Sequence, residues 1–184
     1  MGKVERFVAD PEYKPNGGEV ASIETSKGTV KVELFGRECP LTVGNFVELA
    51  QAGFYDALAF HARKEGSVIV GGCPTTRNMP PNQVYMAAHG GIYGVHPGTG
   101  EADHRIKDEW EGNPLNKHLD GSIVMARKSA PDSASCQFYF SLSEQPEFDD
   151  KFTVFGRTVE GLDVVHALRV GDRIERIVIE GATE

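Results

Sequence analysis

The sequence of 184 residues contains few cysteines, no long apolar run and no excess of positive charge. Its three cysteines, Cys39, Cys73 and Cys136, are not typical of a disulfide framework, which favours a reducing compartment and predicts a cytoplasmic protein. No stretch approaches the roughly 18 apolar residues of a membrane-spanning helix, so we expect no membrane partner. The formal net charge of -8 argues against a nucleic-acid partner, because phosphate binding depends on Lys and Arg.

Signals for cofactors and metals are also lacking. The glycine-rich stretch GVHPGTG has no Gly-Lys-Ser/Thr ending, which a phosphate-binding loop would need. The spacing of the six histidines fits no usual ligand pattern, so we expect no metal and no cofactor. These histidines are His61, His89, His96, His104, His118 and His166.

The chain contains many short strand patterns and few helical ones. Apolar and polar residues alternate over 19–35 on both sides of Lys27-Gly28, which predicts a hairpin. A helix is expected over 40–53, although Gly44 inside it costs roughly 1 kcal/mol relative to Ala unless another segment packs closely there. A second helix is expected over 161–168. Further strands are expected over 67–70, 122–126, 137–142, 152–157 and 173–180, a set typical of a closed β-barrel or a sandwich.

One segment shows neither the strand pattern nor the helical pattern. Residues 75–99 are rich in Gly, Pro and Asn and show no sustained period. Loops of this length are often functional, yet a long surface insertion costs little entropy for each added residue. We therefore expect an N-terminal extension over 1–18 and a single domain over 19–184, which carries a long loop insertion at about 75–99.

Several segments, in this order, resemble the cyclophilin-type peptidyl-prolyl isomerases, and the likeness to a divergent bacterial member extends over 20–180. These segments are TSKGTVKVELF, PLTVGNFVELAQAGFYDALAFH, VIVGGCP, GSIVMARKSAPDSASCQFYFSL and FTVFGRTVEGLDVVHAL. The resemblance implies a mainly β fold, an eight-stranded closed antiparallel β-barrel capped by two α-helices. It also implies isomerase (rotamase) activity in protein folding, with proline-containing polypeptides as partners.

The resemblance marks a changed site at AFHARKEGSVIVGG. The family has Phe-His-Arg here, so His61 is retained while Ala62 takes the position of the catalytic arginine. Val70 takes the position of the glutamine that steadies this arginine, and Ser67 replaces a pocket phenylalanine. Because the arginine and its orienting partner are lost together, the site resembles a remodelled one.

Other positions of the family groove are kept or replaced by similar residues. The resemblance gives catalytic positions to His61 and Gln137 and places Phe152 where the family has a histidine. Glu147 stands where some members carry a tryptophan that binds cyclosporin, so we expect weak or no cyclosporin binding. The substrate-binding positions implied are Val68, Met125, Ala126, Arg127, Tyr139, Phe148 and Phe152.

If the groove still contains a guanidinium, another arginine of the chain must supply it. Arg63 is adjacent, but strand alternation places side chains 62 and 63 on opposite faces unless a bulge intervenes. Arg127, Arg77 and Arg105 are the other candidates.

Three functions stay open. The first is an isomerase acting on Xaa–Pro bonds with weakened or altered activity. The second is a non-catalytic module, chaperone-like, that binds proline-containing segments. The third is a scaffold that binds a partner through the segment 75–99.

Overall fold

A computed structural model describes residues 6–91, 94 and 96–183. Its eight strands are β1 (Val20–Thr25), β2 (Gly28–Leu34), β3 (Ala62–Lys64), β4 (Val68–Gly71), β5 (Ser122–Met125), β6 (Phe138–Ser141), β7 (Val154–Glu160) and β8 (Ile174–Glu180). Its three helices are α1 (Pro40–Gln51), α2 (Pro81–Ala88) and α3 (Leu162–Ala167). Short 3-10 turns lie at Pro74–Thr76 and Pro146–Phe148.

All eight strands belong to one curled antiparallel sheet in the order β3-β4-β6-β5-β7-β2-β1-β8. The expected mainly β fold with eight antiparallel strands is confirmed. The expected closure of the barrel is not shown, because β3 and β8 end the strand order and do not pair as strands over the described residues. An isolated antiparallel bridge, Ala59 with Arg173, joins the segments just before these two strands.

The first hairpin and two helices form where the pattern predicts them. β1 and β2 pair around the turn at Ser26 and Lys27, and Gly28 adopts a φ of +130°, which favours glycine. Pro40 begins α1, where its fixed φ suits a helix and its missing N–H is not needed. The Glu109 carboxylate accepts hydrogen bonds from the backbone N–H groups of Leu41 and Thr42, so a distant loop caps this helix.

The segment before β1 packs on the domain and explains the glycine inside α1. A Cβ atom on Gly44 would lie 2.7 Å from the Tyr13 carbonyl oxygen and 3.2 Å from the Pro11 side chain. The Tyr13 N–H donates to Glu48 of α1, and the Tyr13 hydroxyl donates to the buried Glu19. Residues 6–18 of the expected extension therefore lie against the domain, while residues 1–5 fall outside the described part of the chain.

The expectation of two helices was wrong because α2 lies inside the segment 75–99. It begins at Pro81 and buries Val84 and Ala87, which are one turn apart. The sequence pattern is weak because only two positions of this short helix are buried and Pro and Gly residues flank it. Residues 92, 93 and 95 of the segment lie outside the described residues.

An aromatic cluster holds α1 on the sheet. The Phe46 ring of α1 lies 5.8 Å from Phe138 of β6 and 5.2 Å from Phe155 of β7, between ring centroids. Tyr55 lies 5.5 Å from Phe138, and its hydroxyl donates to the Cys136 carbonyl oxygen, so its buried polar atom is satisfied.

Candidate active site

The segment AFHARKEGSVIVGG, where the resemblance marks a changed site, contains the hairpin of β3 and β4. Ala62 pairs with Val70, and Val70 pairs in turn with Tyr139 of β6. Paired residues of neighbouring strands point to the same face of a sheet, so these three side chains form one row. Ala62 is exposed and Val70 is half-buried, so this row opens to solvent at its β3 end.

Arg63 lies on the other face of β3. The register of β3 and β4 runs without a shift from Ala62 to Lys64, so strand alternation turns Arg63 away from the row of Ala62. Its guanidinium donates to the Leu168 carbonyl oxygen at 3.0 Å and to the Glu65 carboxylate at 3.2 Å.

Of the other candidate arginines, Arg127 contacts a residue of the predicted groove. Its guanidinium carbon lies 5.3 Å from the centroid of the Phe152 ring, while its N–H groups donate to carbonyl oxygens of Lys151 and Lys128. Arg77 instead donates to carbonyl oxygens at Asp56 and Phe54, and Arg105 donates to Glu101.

His61 is a buried histidine with an unsatisfied nitrogen. Its side chain is 5% exposed, and Nδ1 has no hydrogen-bond partner among the described residues. Burial lowers the pKa of His61 to about 4, so the ring is neutral at pH 7. A Cβ atom on Gly98 would lie 3.2 Å from Nε2, so the glycine-rich turn packs closely over this ring.

Four of the predicted substrate positions form an apolar floor, which consists of Val68, Tyr139, Phe148 and Phe152. The Phe152 ring lies 6.0 Å from Tyr139 and 5.7 Å from Phe148, in both cases edge to face. Val68 pairs with Ser141, two residues along β6 from Tyr139, and therefore lies on the same face of the sheet. Phe148 and Phe152 are half-buried, so an apolar ligand ring can reach them.

The other predicted substrate positions lie beside this floor. Met125 of β5 is buried, and its N–H donates to the Thr153 carbonyl oxygen. The N–H of Ala126 donates to the Gln137 carbonyl oxygen, so both amides are used within the protein.

Gln137 holds the glycine-rich turn through its side-chain amide. Its Nε2 donates to the carbonyl oxygens of Gly98 and Gly100, at 2.9 and 2.8 Å. A cavity of about 80 Å³ lies next to these contacts. It is lined by Gly98–Glu101, Ala126–Lys128, Ser133 and Ser135–Gln137.

Glu101 in the cavity wall is held by three cations. Arg105 donates to this carboxylate at 2.9 Å, Arg6 at 3.1 Å and Lys128 at 3.3 Å. Burial acts to raise the pKa of Glu101, but the hydrogen bonds and charges of Arg105 and Lys128 lower it overall. The segment before β1 thus reaches the wall of this cavity through Arg6.

Sequence reasoning missed a buried network beneath the apolar floor. The His118 Nε2 atom lies 2.8 Å from the Tyr139 hydroxyl, and its Nδ1 atom lies 2.9 Å from the Asp149 carboxylate. Tyr139 is predicted above for its ring alone, and nothing in the local pattern joins it to His118, 21 residues earlier. The resemblance expects a phenylalanine at this position, so the tyrosine was the available signal.

The cysteines are free thiols, and all three are buried. The Cys73 sulfur accepts hydrogen bonds from the N–H groups of Gly98 and Gly100, at 3.2 and 3.4 Å. Burial raises the pKa of Cys136 to about 12. Within the described ranges, no group of three or more His, Cys, Asp or Glu side chains could hold a metal ion, and no helix could cross a membrane.

Comparisons with known proteins agree with this geometry. The family model for the cyclophilin type peptidyl-prolyl cis-trans isomerase/CLD domain matches residues 20–183. A peptidyl-prolyl cis-trans isomerase of Helicobacter pylori is 40% identical over 164 residues, which are 88% of this chain and 87% of that protein.

Solved structures are similar in fold. A cyclophilin type peptidyl-prolyl cis-trans isomerase of Cryptosporidium parvum superposes with a TM-score of 0.71 at 24% identity, covering 90% of this chain and 99% of the other. A structure of the same parasite protein in the presence of the dipeptide Ala-Pro gives a TM-score of 0.68 at 25% identity, covering 88% and 99%. The match to the family model and the identity to the Helicobacter relative show that this chain belongs to the family of cyclophilin-type peptidyl-prolyl cis-trans isomerases.

Proposed function

We propose that this chain is a peptidyl-prolyl cis-trans isomerase with weakened activity on Xaa–Pro bonds of peptides and proteins. The observation that carries the proposal is the aromatic floor of Tyr139, Phe148 and Phe152 beside a sheet row that ends in Ala62. The floor suits a proline ring, while Ala62 supplies no donor for the reacting amide. The similar structure determined in the presence of Ala-Pro supports a proline-containing ligand.

The reaction needs only a twist of one amide bond. Its barrier is roughly 20 kcal/mol, because resonance between nitrogen and carbonyl must be lost in the transition state. A groove lowers this barrier when it binds the twisted amide more tightly than the planar one. In this chain the floor holds the ring, and Gln137 and the neutral His61 are the polar side chains proposed to act near the flanking backbone.

A non-catalytic proline-binding module is the second candidate. It is favoured because the adjacent Arg63 donates to Leu168 and Glu65, and Arg105 is held by Glu101. Arg127 is the guanidinium that touches the floor, through the Phe152 ring, but carbonyl oxygens engage its N–H groups. Such a groove would bind proline-containing segments without accelerating the isomerisation of their Xaa–Pro bonds.

Exchange NMR on a panel of Xaa–Pro peptides, with binding measured on the same samples, tests the proposal. We expect binding together with an exchange rate above that of the free peptide and below that of an ordinary cyclophilin measured in parallel. Binding without acceleration would favour the module. Neither binding nor acceleration would contradict both and favour a scaffold that acts through the segment 75–99. The free, buried thiols support the further proposal of a cytoplasmic location.

A further inference from the structure

The buried network beneath the floor joins three separate parts of the chain. Tyr139 lies on β6, His118 lies in the loop before β5, and Asp149 directly follows the 3-10 turn that carries Phe148. The His118 backbone N–H also donates to the Asp149 carboxylate, at 2.7 Å. Within the floor, these contacts connect the Tyr139 ring to the rings of Phe148 and Phe152, which we call the aromatic wall.

The direction of each hydrogen bond follows from the protonation states. Burial acts to raise the pKa of Asp149, but hydrogen bonds from His118 lower it overall, so this carboxylate is ionised and accepts. Burial lowers the pKa of His118, so its ring is neutral and carries its proton on Nδ1, toward Asp149. Burial raises the pKa of Tyr139, so its hydroxyl keeps its proton and donates to His118 Nε2.

Both ring nitrogens of His118 are therefore used, and the ring is enclosed by aromatic side chains. Its side chain is 0% exposed, and its centroid lies 5.8 Å from Phe148 and 6.5 Å from Phe152. The apolar floor alone needs no histidine at this place, because a hydrocarbon side chain would fill the same space. A buried polar chain of this kind fixes geometry, because each group is costly to leave without a partner.

We propose that His118 and Asp149 are positioning residues that hold the Tyr139 hydroxyl and thereby set the distance between the Tyr139 ring and the aromatic wall of Phe148 and Phe152. This inference rests on the proposed function, since it assigns to the same groove the residues that shape it. His118 touches no ligand in this arrangement and acts through Tyr139.

Leucine and glutamine at position 118 separate positioning from packing. His118→Leu fills the space but removes both hydrogen bonds. His118→Gln keeps an acceptor for the Tyr139 hydroxyl and a donor for Asp149. With a tetrapeptide that contains one Ala–Pro bond as the probe, we expect His118→Leu to raise Kd about 5- to 10-fold, the loss typical of one or two hydrogen bonds. His118→Gln should stay within about twofold of the parent by the same reasoning.

Tyr139→Phe keeps the ring and removes only the hydroxyl, so it serves if His118→Leu fails to fold. It should raise Kd about fivefold. Adding it to His118→Leu should change Kd little further, because both substitutions remove the same hydrogen bond between Tyr139 and His118. His89→Leu, at the exposed residue that follows α2, is the matched control. Folded His118→Leu and Tyr139→Phe proteins that bind the probe as tightly as the parent would overturn the inference.

A readout without ligand keeps this inference distinct from the proposed function. If the parent binds no Ala–Pro peptide, the proposed function fails. Nuclear Overhauser contacts between the Tyr139 ring and the rings of Phe148 and Phe152 then decide whether the network positions the wall, because they do not depend on the ring current of His118. Weakened contacts in His118→Leu with near-parent contacts in His118→Gln would support it, whereas unchanged contacts in His118→Leu would overturn it.

Discussion

Ala62 lies directly opposite Val70 in the regular pairing of β3 and β4. Our proposal gives the family arginine position to Ala62 and the position of its orienting glutamine to Val70, and this pairing makes the two positions neighbours on one face of the hairpin. Under this proposal a glutamine at position 70 would have no arginine at position 62 to orient.

Restoring both residues should raise isomerase activity. Ala62→Arg places a guanidinium in the row of Val70 and Tyr139, and Val70→Gln supplies a side chain that can orient it. A positioned donor contributes roughly 3 kcal/mol, or about 100-fold in rate. We expect the double variant to isomerise an Ala–Pro peptide more than about tenfold faster than the parent, with Ala62→Arg between them.

Lys64→Arg is the control for this experiment, since it adds a guanidinium on the same exposed strand two residues away. The unfolding midpoints are compared as well, because Val70→Gln can bury an unpaired amide at a cost of about 1–3 kcal/mol. A parent that already matches an ordinary cyclophilin, with no gain from Ala62→Arg, would show that another group has replaced the arginine.

Cyclosporin should bind weakly or not at all. Glu147 is exposed on its 3-10 turn and offers a carboxylate where the resemblance expects the tryptophan of some members, and Ala62 and Ser67 are expected to offer less contact area. Titration calorimetry is the measurement, with an ordinary cyclophilin as the positive control. A submicromolar Kd would contradict the prediction.

The stability of the segment 75–99 should depend on α2. Val84→Ala removes two buried methyl groups and should lower the free energy of unfolding by about 1.5 kcal/mol. Gln83→Ala, at the exposed neighbouring position, is the matched control and should change it little. Urea unfolding measures both. An unchanged midpoint for Val84→Ala would contradict this prediction and support the interpretation of this segment as a dispensable insertion.

The effect of Gly44→Ala on stability should depend on whether the N-terminal segment is present. In the full chain the new methyl group meets the Tyr13 carbonyl oxygen, so we expect a lower melting temperature despite the better helix propensity of alanine. In a chain that lacks residues 1–14 this contact is absent. The same substitution should then raise the free energy of unfolding by up to roughly 1 kcal/mol. Stabilisation in both chains would show that the segment does not pack on α1.

Acid should destabilise the fold through His61. Its pKa is about 4 in the folded protein and near 6.5 when unfolded, so only the unfolded chain binds this proton between those values. The free energy of unfolding therefore falls as pH decreases from 6.5 to 4, by up to roughly 3 kcal/mol from this residue. The lowered pKa of His118 acts in the same direction.

Urea unfolding at pH 7 and at pH 4.5 measures this effect in the parent, His61→Gln and His89→Gln. The fall in stability should be smaller in His61→Gln and unchanged in the exposed control His89→Gln. An equal fall in all three proteins would assign the acid sensitivity to other groups.

The sequence predicted the elements whose signal is local. The first hairpin, α1 and α3 lie within one or two residues of their expected bounds, because alternation, a starting proline and helical spacing are properties of neighbouring residues. Gly44 was recognised as anomalous, but its partner Tyr13 is 31 residues away and no pattern names it. The aromatic floor came from the family resemblance, and its link to His118 needed the folded chain.

The side-chain amide of Gln137 has consequences for the polarity of the groove. Its two N–H groups already donate hydrogen bonds to the carbonyl oxygens of Gly98 and Gly100. The polar atom left for a ligand is Oε1, which can only accept a hydrogen bond. A peptide that meets Gln137 without displacing the glycine-rich turn must therefore present a hydrogen-bond donor to it, so a backbone carbonyl oxygen of the ligand finds no partner in this side chain.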